Sequence, residues 1–177
     1  HPEGHVYDVI IVGGGQSGLS TAFSLLRERI SNILILDENP AGYEGPWITY
    51  ARMFTLRTPK QLPSIDLGIP SLTFQAWWRA QYGEEGWEAL DKIPRHEWMN
   101  YLKWYREVLN LPVYNDVKLD AIEPIQRQLH RLHVKSAGEQ KTYIARKVVL
   151  ATGIQGGGEW HVPEFIKHLP KSLYAHT

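Results

Sequence analysis

The stretch VIIVGGGQSGLSTA, Val9 to Ala22, limits what this chain can fold into more than any other. Four β-branched residues with no polar residue among them read as a central strand covered on both faces, and the predicted span is Tyr7 to Val12. Three glycines end it, and apolar residues then resume at helical spacing. Leu19, Ala22, Phe23, Leu26 and Ile30 fall on one stripe, which predicts a helix from Ser17 to Arg29. A second apolar run, Ile33 to Leu36, follows and ends in Asp37 and Glu38. Strand, glycine turn, helix and strand make a βαβ unit over about residues 6–38, with a right-handed crossover expected.

Gly13-Gly14-Gly15-Gln16-Ser17-Gly18 satisfies the pattern G-x-G-x-x-G. In that pattern Gly13 makes the tight turn out of the strand, Gly15 lets the backbone approach a pyrophosphate, and Gly18 lets the helix pack close to the sheet. The helix N-terminus at Gln16 and Ser17 then offers unpaired N–H groups and a partial positive charge to phosphates. Three glycines alone also suit a structural turn. The strand before them, the helix after them and the acid closing the next strand point to dinucleotide binding. Asp37 is placed to accept from an adenosine ribose, with Glu38 the weaker candidate one residue on. A carboxylate there repels a 2′-phosphate, so the residues leave FAD and NAD as the alternatives.

The middle of the chain, about residues 42–110, is rich in Pro, Gly and aromatic residues, and six of the seven tryptophans lie between Trp47 and Trp104. Phe74, Trp77, Trp78 and Tyr82 suggest a short helix. Pro94, at a first-turn position, opens a clearer one in which Trp98, Tyr101, Leu102, Tyr105 and Leu109 share one face. Packing into a core is the reading favoured for these aromatic stripes over a direct part in a ligand site. From Leu111 the segments LPVYN, VKLDAIEPI, LHRLHVKS and KTYIARKVVLATG follow, with turn signals at Asn115-Asp116 and Ala137-Gly138-Glu139. They predict a small antiparallel meander feeding a final buried strand, Lys147 to Ala151, within about residues 111–153, and a connection over 154–177.

Composition closes off several chemistries. Nineteen basic and nineteen acidic residues cancel, so net charge suggests neither a nucleic acid nor a membrane surface as partner. With no cysteine, disulfides, thiolate metal sites and Cys-x-x-Cys redox chemistry are excluded. His130 and His133, three apart on a strand, point to opposite faces, and no metal site is expected. The Gly156 to Trp160 run reads as a connection, since no apolar helix follows it. The apolar runs are too short to span a bilayer, and a cytoplasmic protein is the expectation.

VVLATG, Val148 to Gly153, tilts the cofactor toward flavin, because a strand ending in Ala-Thr-Gly far downstream of an N-terminal glycine motif resembles the two-dinucleotide-binding-domain flavoproteins. Within that class, GYEGPW after LILDENPA is similar to the Gly-Gly-x-Trp segment of flavin-containing and Baeyer–Villiger-type monooxygenases. RTPK, Arg57 to Lys60, stands where flavin-containing monooxygenases carry Asn-Thr-Ser-Lys near the flavin. Arg57 replaces that asparagine, so its oxygen-stabilising role is not carried across. The segment from Gly45 to Phe74 resembles a bacterial branch of such oxidoreductases that includes FAD-dependent urate hydroxylases. A further fingerprint, Phe-x-Gly-x-x-x-His, is half present: if His176 is its histidine, Pro170 and Ser172 stand at the Phe and Gly positions.

The resemblance implies an α/β, Rossmann-like FAD-binding domain: a central parallel sheet, a small antiparallel meander and a helical aromatic-rich insertion. It implies FAD near Trp47, Arg57, Thr152 and Gly153 as well as the glycine motif, and it assigns no catalytic residue. In such enzymes NADPH or NADH reduces the flavin, and a flavin hydroperoxide passes one oxygen atom to a small substrate. With one glycine-rich βαβ unit, the chain is expected to be the N-terminal, FAD-binding portion of such an enzyme, truncated before a nicotinamide-binding domain and inactive alone. Two other readings stay open: an NAD-binding dehydrogenase or flavin reductase domain without oxygenation, and a non-catalytic nucleotide-binding module that uses the aromatic middle as a surface.

Overall fold

A computed structural model describes residues 4–62, 64–157 and 161–174. Strand β1 (Val6–Val12) leads through the glycine turn into helix α1 (Gln16–Arg27), and β2 (Ile33–Leu36) returns parallel to β1 with Val9 opposite Ile33 and Val12 opposite Leu36. A long irregular segment then runs to α2 (Phe74–Ala89) and α3 (Arg95–Val108). Strands β3 (Val113–Tyr114), β4 (Val117–Ile125), β5 (Leu129–Ser136) and β6 (Glu139–Leu150) complete one six-stranded sheet in the order β3-β2-β1-β6-β5-β4. A short helix, α4 (Glu164–Lys167), lies in the last segment.

Two expectations about the strands are corrected. LPVYN is not part of the antiparallel meander: Val113 and Tyr114 add to the far edge of the parallel sheet, beside Ile35 and Leu36. Two residues are too few to show an alternation, and only the neighbouring strand gives them a direction. The final strand is likewise not a separate element from Lys147. It is the second half of β6, which pairs antiparallel with β5 up to Ala145 and parallel with β1 from Val6↔Ile144 to Val12↔Leu150. It is also less buried than its sequence suggests, with Val148 half-buried and Leu150 62% exposed. One strand thus belongs to both the meander and the nucleotide-type sheet.

Alternation along the sheet divides the core. Val9, Ile11, Ile33 and Ile35 face the helices and pack with Leu19, Phe74, Trp98 and Tyr101, whereas Ile10, Val12, Leu34 and Leu36 face Val117, Leu132 and Val134 of the antiparallel arm. The aromatic stripe is buried as expected: Trp98, Tyr101, Leu102 and Tyr105 of α3 lie in the helical layer, and Leu109 is packed at its margin. Pro94 is the residue before α3 rather than in its first turn, with φ −61° and ψ 137°. The buried Tyr101 and Tyr105 hydroxyls donate to the carbonyls of Leu72 (2.6 Å) and Ile65 (2.7 Å), pinning the irregular segment to α3. Among the described residues no helix is long and apolar enough to cross a membrane, and no His/Cys/Asp/Glu cluster could hold a metal.

Candidate functional site

The sheet order changes direction between β1, whose sequence neighbour β2 lies on one side, and β6, which comes from the far end of the chain on the other. The crevice beyond the carboxyl ends of strands at such a switch point is where open α/β sheets place ligands. Here it holds both loops singled out in the sequence. Gly13 leaves β1 with φ +109°, and a Cβ on it would lie 2.2 Å from the Ala151 carbonyl oxygen, so the turn after β6 presses directly on the glycine turn. Thr152 and Gly153 follow that contact and are exposed.

The glycines separate by what constrains them. Gly18 is required by packing, since a Cβ there would fall 1.8 Å from the Gly13 carbonyl oxygen. Gly15 is not: its φ is −71°, and a Cβ would meet Gly45 Cα at 3.7 Å, an ordinary contact. Nothing in the protein therefore demands glycine at position 15, whereas a ligand lying against the turn would. Helix α1 begins there with no capping side chain and no acid in its first turn, leaving its N-terminal N–H groups toward the exposed Gln16 and Ser17.

Asp37 is 6% exposed, and its two oxygens are already engaged: Oδ2 accepts the Gly14 N–H (2.7 Å), and Oδ1 accepts the Asn39 N–H (2.8 Å) and its side-chain amide (3.1 Å). The acid at the end of β2 thus holds the glycine turn in shape, while Glu38 points outward and is exposed. Oδ1 is filled by its two bonds, whereas Oδ2 retains acceptor capacity for one more donor.

Opposite the turn, the segment Glu44-Gly45-Pro46-Trp47 forms a strap whose Gly45 lies against Gly15. Beside it a cleft of about 420 Å³ is lined by Gln16 of α1, Trp47, Trp98 of α3, and Met53, Leu56, Arg57, Thr58, Leu62 and Ser64 of the following segment. Trp98 Nε1 donates to Gln16 Oε1 at 3.2 Å, and Trp47 meets the Trp98 ring edge to face at 6.1 Å. Among the described residues Trp47 Nε1 is the one buried side-chain polar atom with no hydrogen-bond partner. Burying a donor unpaired is costly, and a ligand acceptor in the cleft would relieve it. Arg57 lines the cleft, exposed and paired with no described residue.

The structure brings Gly13, Gly15, Gln16, Ser17, Gly18, Asp37, Trp47 and Arg57 to one end of the sheet, with Thr152 and Gly153 beside Gly13. Lys60 of the RTPK stretch is used elsewhere: its Nζ donates to the carbonyls of Trp87 and Leu90, each at 2.6 Å, at the C-terminal end of α2. Sequence reading missed the part of Trp98 in the cleft, because the stripe that buries it is the same stripe that packs the core. It also missed Thr58, Ser64 and Leu62, whose segment has no periodicity to read. His176 lies outside the described residues, as do Gly158 to Trp160.

A sequence profile of the FAD-NAD(P)-binding family matches residues 10–155, from within β1 to just past the Ala-Thr-Gly turn. The chain belongs to the FAD-NAD(P)-binding family. Among curated relatives, the chain is 63% identical over 179 residues to the FAD-dependent urate hydroxylase of Xanthomonas campestris pv. campestris, covering all of this chain and 37% of that protein. It is 25% identical to an uncharacterised CzcO-like oxidoreductase of Geobacillus kaustophilus over 98% of its length and 43% of the relative's. The chain therefore spans about two fifths of the curated relatives it matches. Among solved structures it resembles a flavin-containing monooxygenase from Stenotrophomonas maltophilia, with TM-score 0.68, 28% identity, and coverage of 91% of this chain and 42% of that one. It shares its fold with ornithine hydroxylase from Pseudomonas aeruginosa at TM-score 0.75 and 21% identity, covering 92% of this chain and 42% of that one.

Proposed function

We propose that this chain is the FAD-holding portion of a flavin-dependent monooxygenase that uses NADPH or NADH and acts on a small molecule, with urate the substrate suggested by the Xanthomonas relative. In this reading the 177 residues form one FAD-binding domain, cytoplasmic and part of a longer enzyme. The observation that carries it is Gly15, a glycine that the protein's own packing does not need, in the turn between β1 and Gln16, which lines the cleft. The backbone at Gly13, Gly15, Gln16, Ser17 and Gly18 receives the pyrophosphate, and Asp37 receives the adenosine ribose with its remaining acceptor capacity; Glu38 is exposed beside it. Trp47, Arg57, Thr152 and Gly153 border the flavin side, where the Trp47 indole N–H supplies a donor and Arg57 a positive charge.

Bound FAD supplies electron transfer and oxygen activation; the protein supplies position, dryness and electrostatics. The buried aromatic layer argues against the module reading, which needs those rings exposed as a patch. The purified chain is expected to carry or take up a flavin with visible absorption bands that, on release, proves to be FAD. Gly15→Val, which places a branched side chain where the pyrophosphate lies, is expected to stay folded and colourless. A Gly15→Val variant that binds FAD like the parent would contradict this placement.

A further inference from the structure

Helix α3 carries two arginines along the edge of its apolar stripe. Arg95, Trp98, Leu102 and Arg106 lie at i, i+3, i+7 and i+11, so they project from one side of the helix. Three of them grip the strap or α1. The Arg95 guanidinium donates to the Trp47 carbonyl, and Trp98 bonds Gln16 at the start of α1. Arg106 Nη1 donates to Glu44 Oε1 (2.8 Å) and Asn115 Oδ1 (2.8 Å), and its Nη2 to the Val113 carbonyl (3.0 Å).

Glu44 is 4% exposed, and its second oxygen accepts the Gly42 N–H at 2.8 Å. Asn115 in turn donates to Glu44 Oε1 (2.6 Å) and to the Asn39 carbonyl (3.0 Å), and Asn39 donates to Asp37, which holds Gly14. A continuous polar path thus joins α3, the strap, the acid after β2 and the glycine turn. A buried ion pair of this kind contributes little net stability, because desolvation offsets attraction, but it fixes geometry. Cofactor affinity gains when the groups lining a site are already held in their bound positions.

We infer that Arg95, Arg106 and Glu44 are positioning residues that hold the Glu44–Trp47 strap against Gly15 as a preformed wall of the cofactor cleft. The inference rests on the FAD reading above. Arg95 and Arg106 make different demands. Arg95 serves one carbonyl, which a lysine can reach, whereas Arg106 divides its fork among a carboxylate, an amide and a carbonyl, which a lysine cannot reproduce.

The test measures the FAD dissociation constant by flavin fluorescence, the visible circular dichroism of the bound flavin at saturation, and the melting temperature without cofactor. Arg95→Met, Glu44→Gln and Arg106→Lys are expected to weaken FAD binding about tenfold or more and to change the flavin dichroism, as losses of supporting contacts do at other sites. Arg95→Lys is expected to restore both. If Arg95→Met and Glu44→Gln bind FAD with parental affinity and dichroism, whatever their melting temperatures, the inference is overturned. Should Glu44→Gln or Arg106→Lys not fold, the Arg95→Met and Arg95→Lys pair decides alone. Equal behaviour of that pair overturns the inference. A parent chain that binds no FAD overturns the cofactor reading and the inference together.

Discussion

Gly13 and Gly18 answer to the protein, Gly15 to something outside it, and the difference is measured in where a single carbon would go. A Cβ on Gly18 would sit 1.8 Å from the Gly13 carbonyl oxygen, so Gly18→Ala must push α1 off the turn. That substitution is expected to cost about 1–3 kcal/mol or more, as overpacking of close contacts does, and to appear as a lower midpoint in urea unfolding. Gly15→Val, whose Cβ meets only an ordinary contact with Gly45, is expected to unfold closer to the parental midpoint than Gly18→Ala does. The pattern G-x-G-x-x-G assigned the three glycines their separate roles from the sequence, but it could not say how tightly the protein's own packing constrains each. Ranking needs the distance from Gly15 to Gly45, a residue thirty positions away with no periodic relation to the turn. Asp37 shows the same limit. Its position after a β-strand marked it as the acid on the ribose side, while its bond to the Gly14 N–H depends on how closely β2 approaches the turn.

Among the elements, β1, α1 and β2 were readable because their signals are local, two uninterrupted apolar runs and one helical stripe, and the predicted Ile33 to Leu36 is the strand observed. The two-residue β3 and the double pairing of β6 were not, since their direction is set by partners far along the chain. Helix α3 was half readable: its apolar stripe announced the core, but Arg95 and Arg106 look in sequence like solvated charges. Lys60 is another charge that proves structural. Lys60→Met removes a cationic donor from the last carbonyls of α2 and is expected to lower stability by about 1.5–3 kcal/mol, seen in thermal melts. Burial pushes the Tyr101 hydroxyl of α3 up to about 12 and raises Tyr105 as well, the neighbouring Tyr101 adding to the latter. In the unfolded chain both titrate near the ordinary value of about 10. Their neutral forms are therefore favoured by folding: the contribution is fully present below about pH 10, where both states are protonated, and is lost as pH rises toward about 12. Unfolding midpoints measured across that window are expected to fall with pH, and Tyr101→Phe, which cannot ionise, is expected to fall less steeply.

At the scale of the whole molecule, a parallel sheet with an antiparallel arm, a helical layer rich in aromatic rings and a cleft at the switch point together make a nucleotide-holding unit. The parallel sheet, the arm and the aromatic insertion could be expected from the sequence, because glycine, Ala-Thr-Gly and aromatic segments each occupy their own stretch of chain. The cleft could not, since its walls come from α1, the strap, the segment after it and α3. Membership of the FAD-NAD(P)-binding family leaves the nucleotide open between the two, and the resemblance of the strap and the β6 turn to flavoprotein segments favours FAD. The most direct test is a competition titration of the purified chain with FAD and NAD, followed by tryptophan fluorescence, which Trp47 and Trp98 at the cleft make sensitive to occupancy. The account predicts saturable quenching by FAD that excess NAD does not reverse. Binding of NAD with FAD ignored would contradict it.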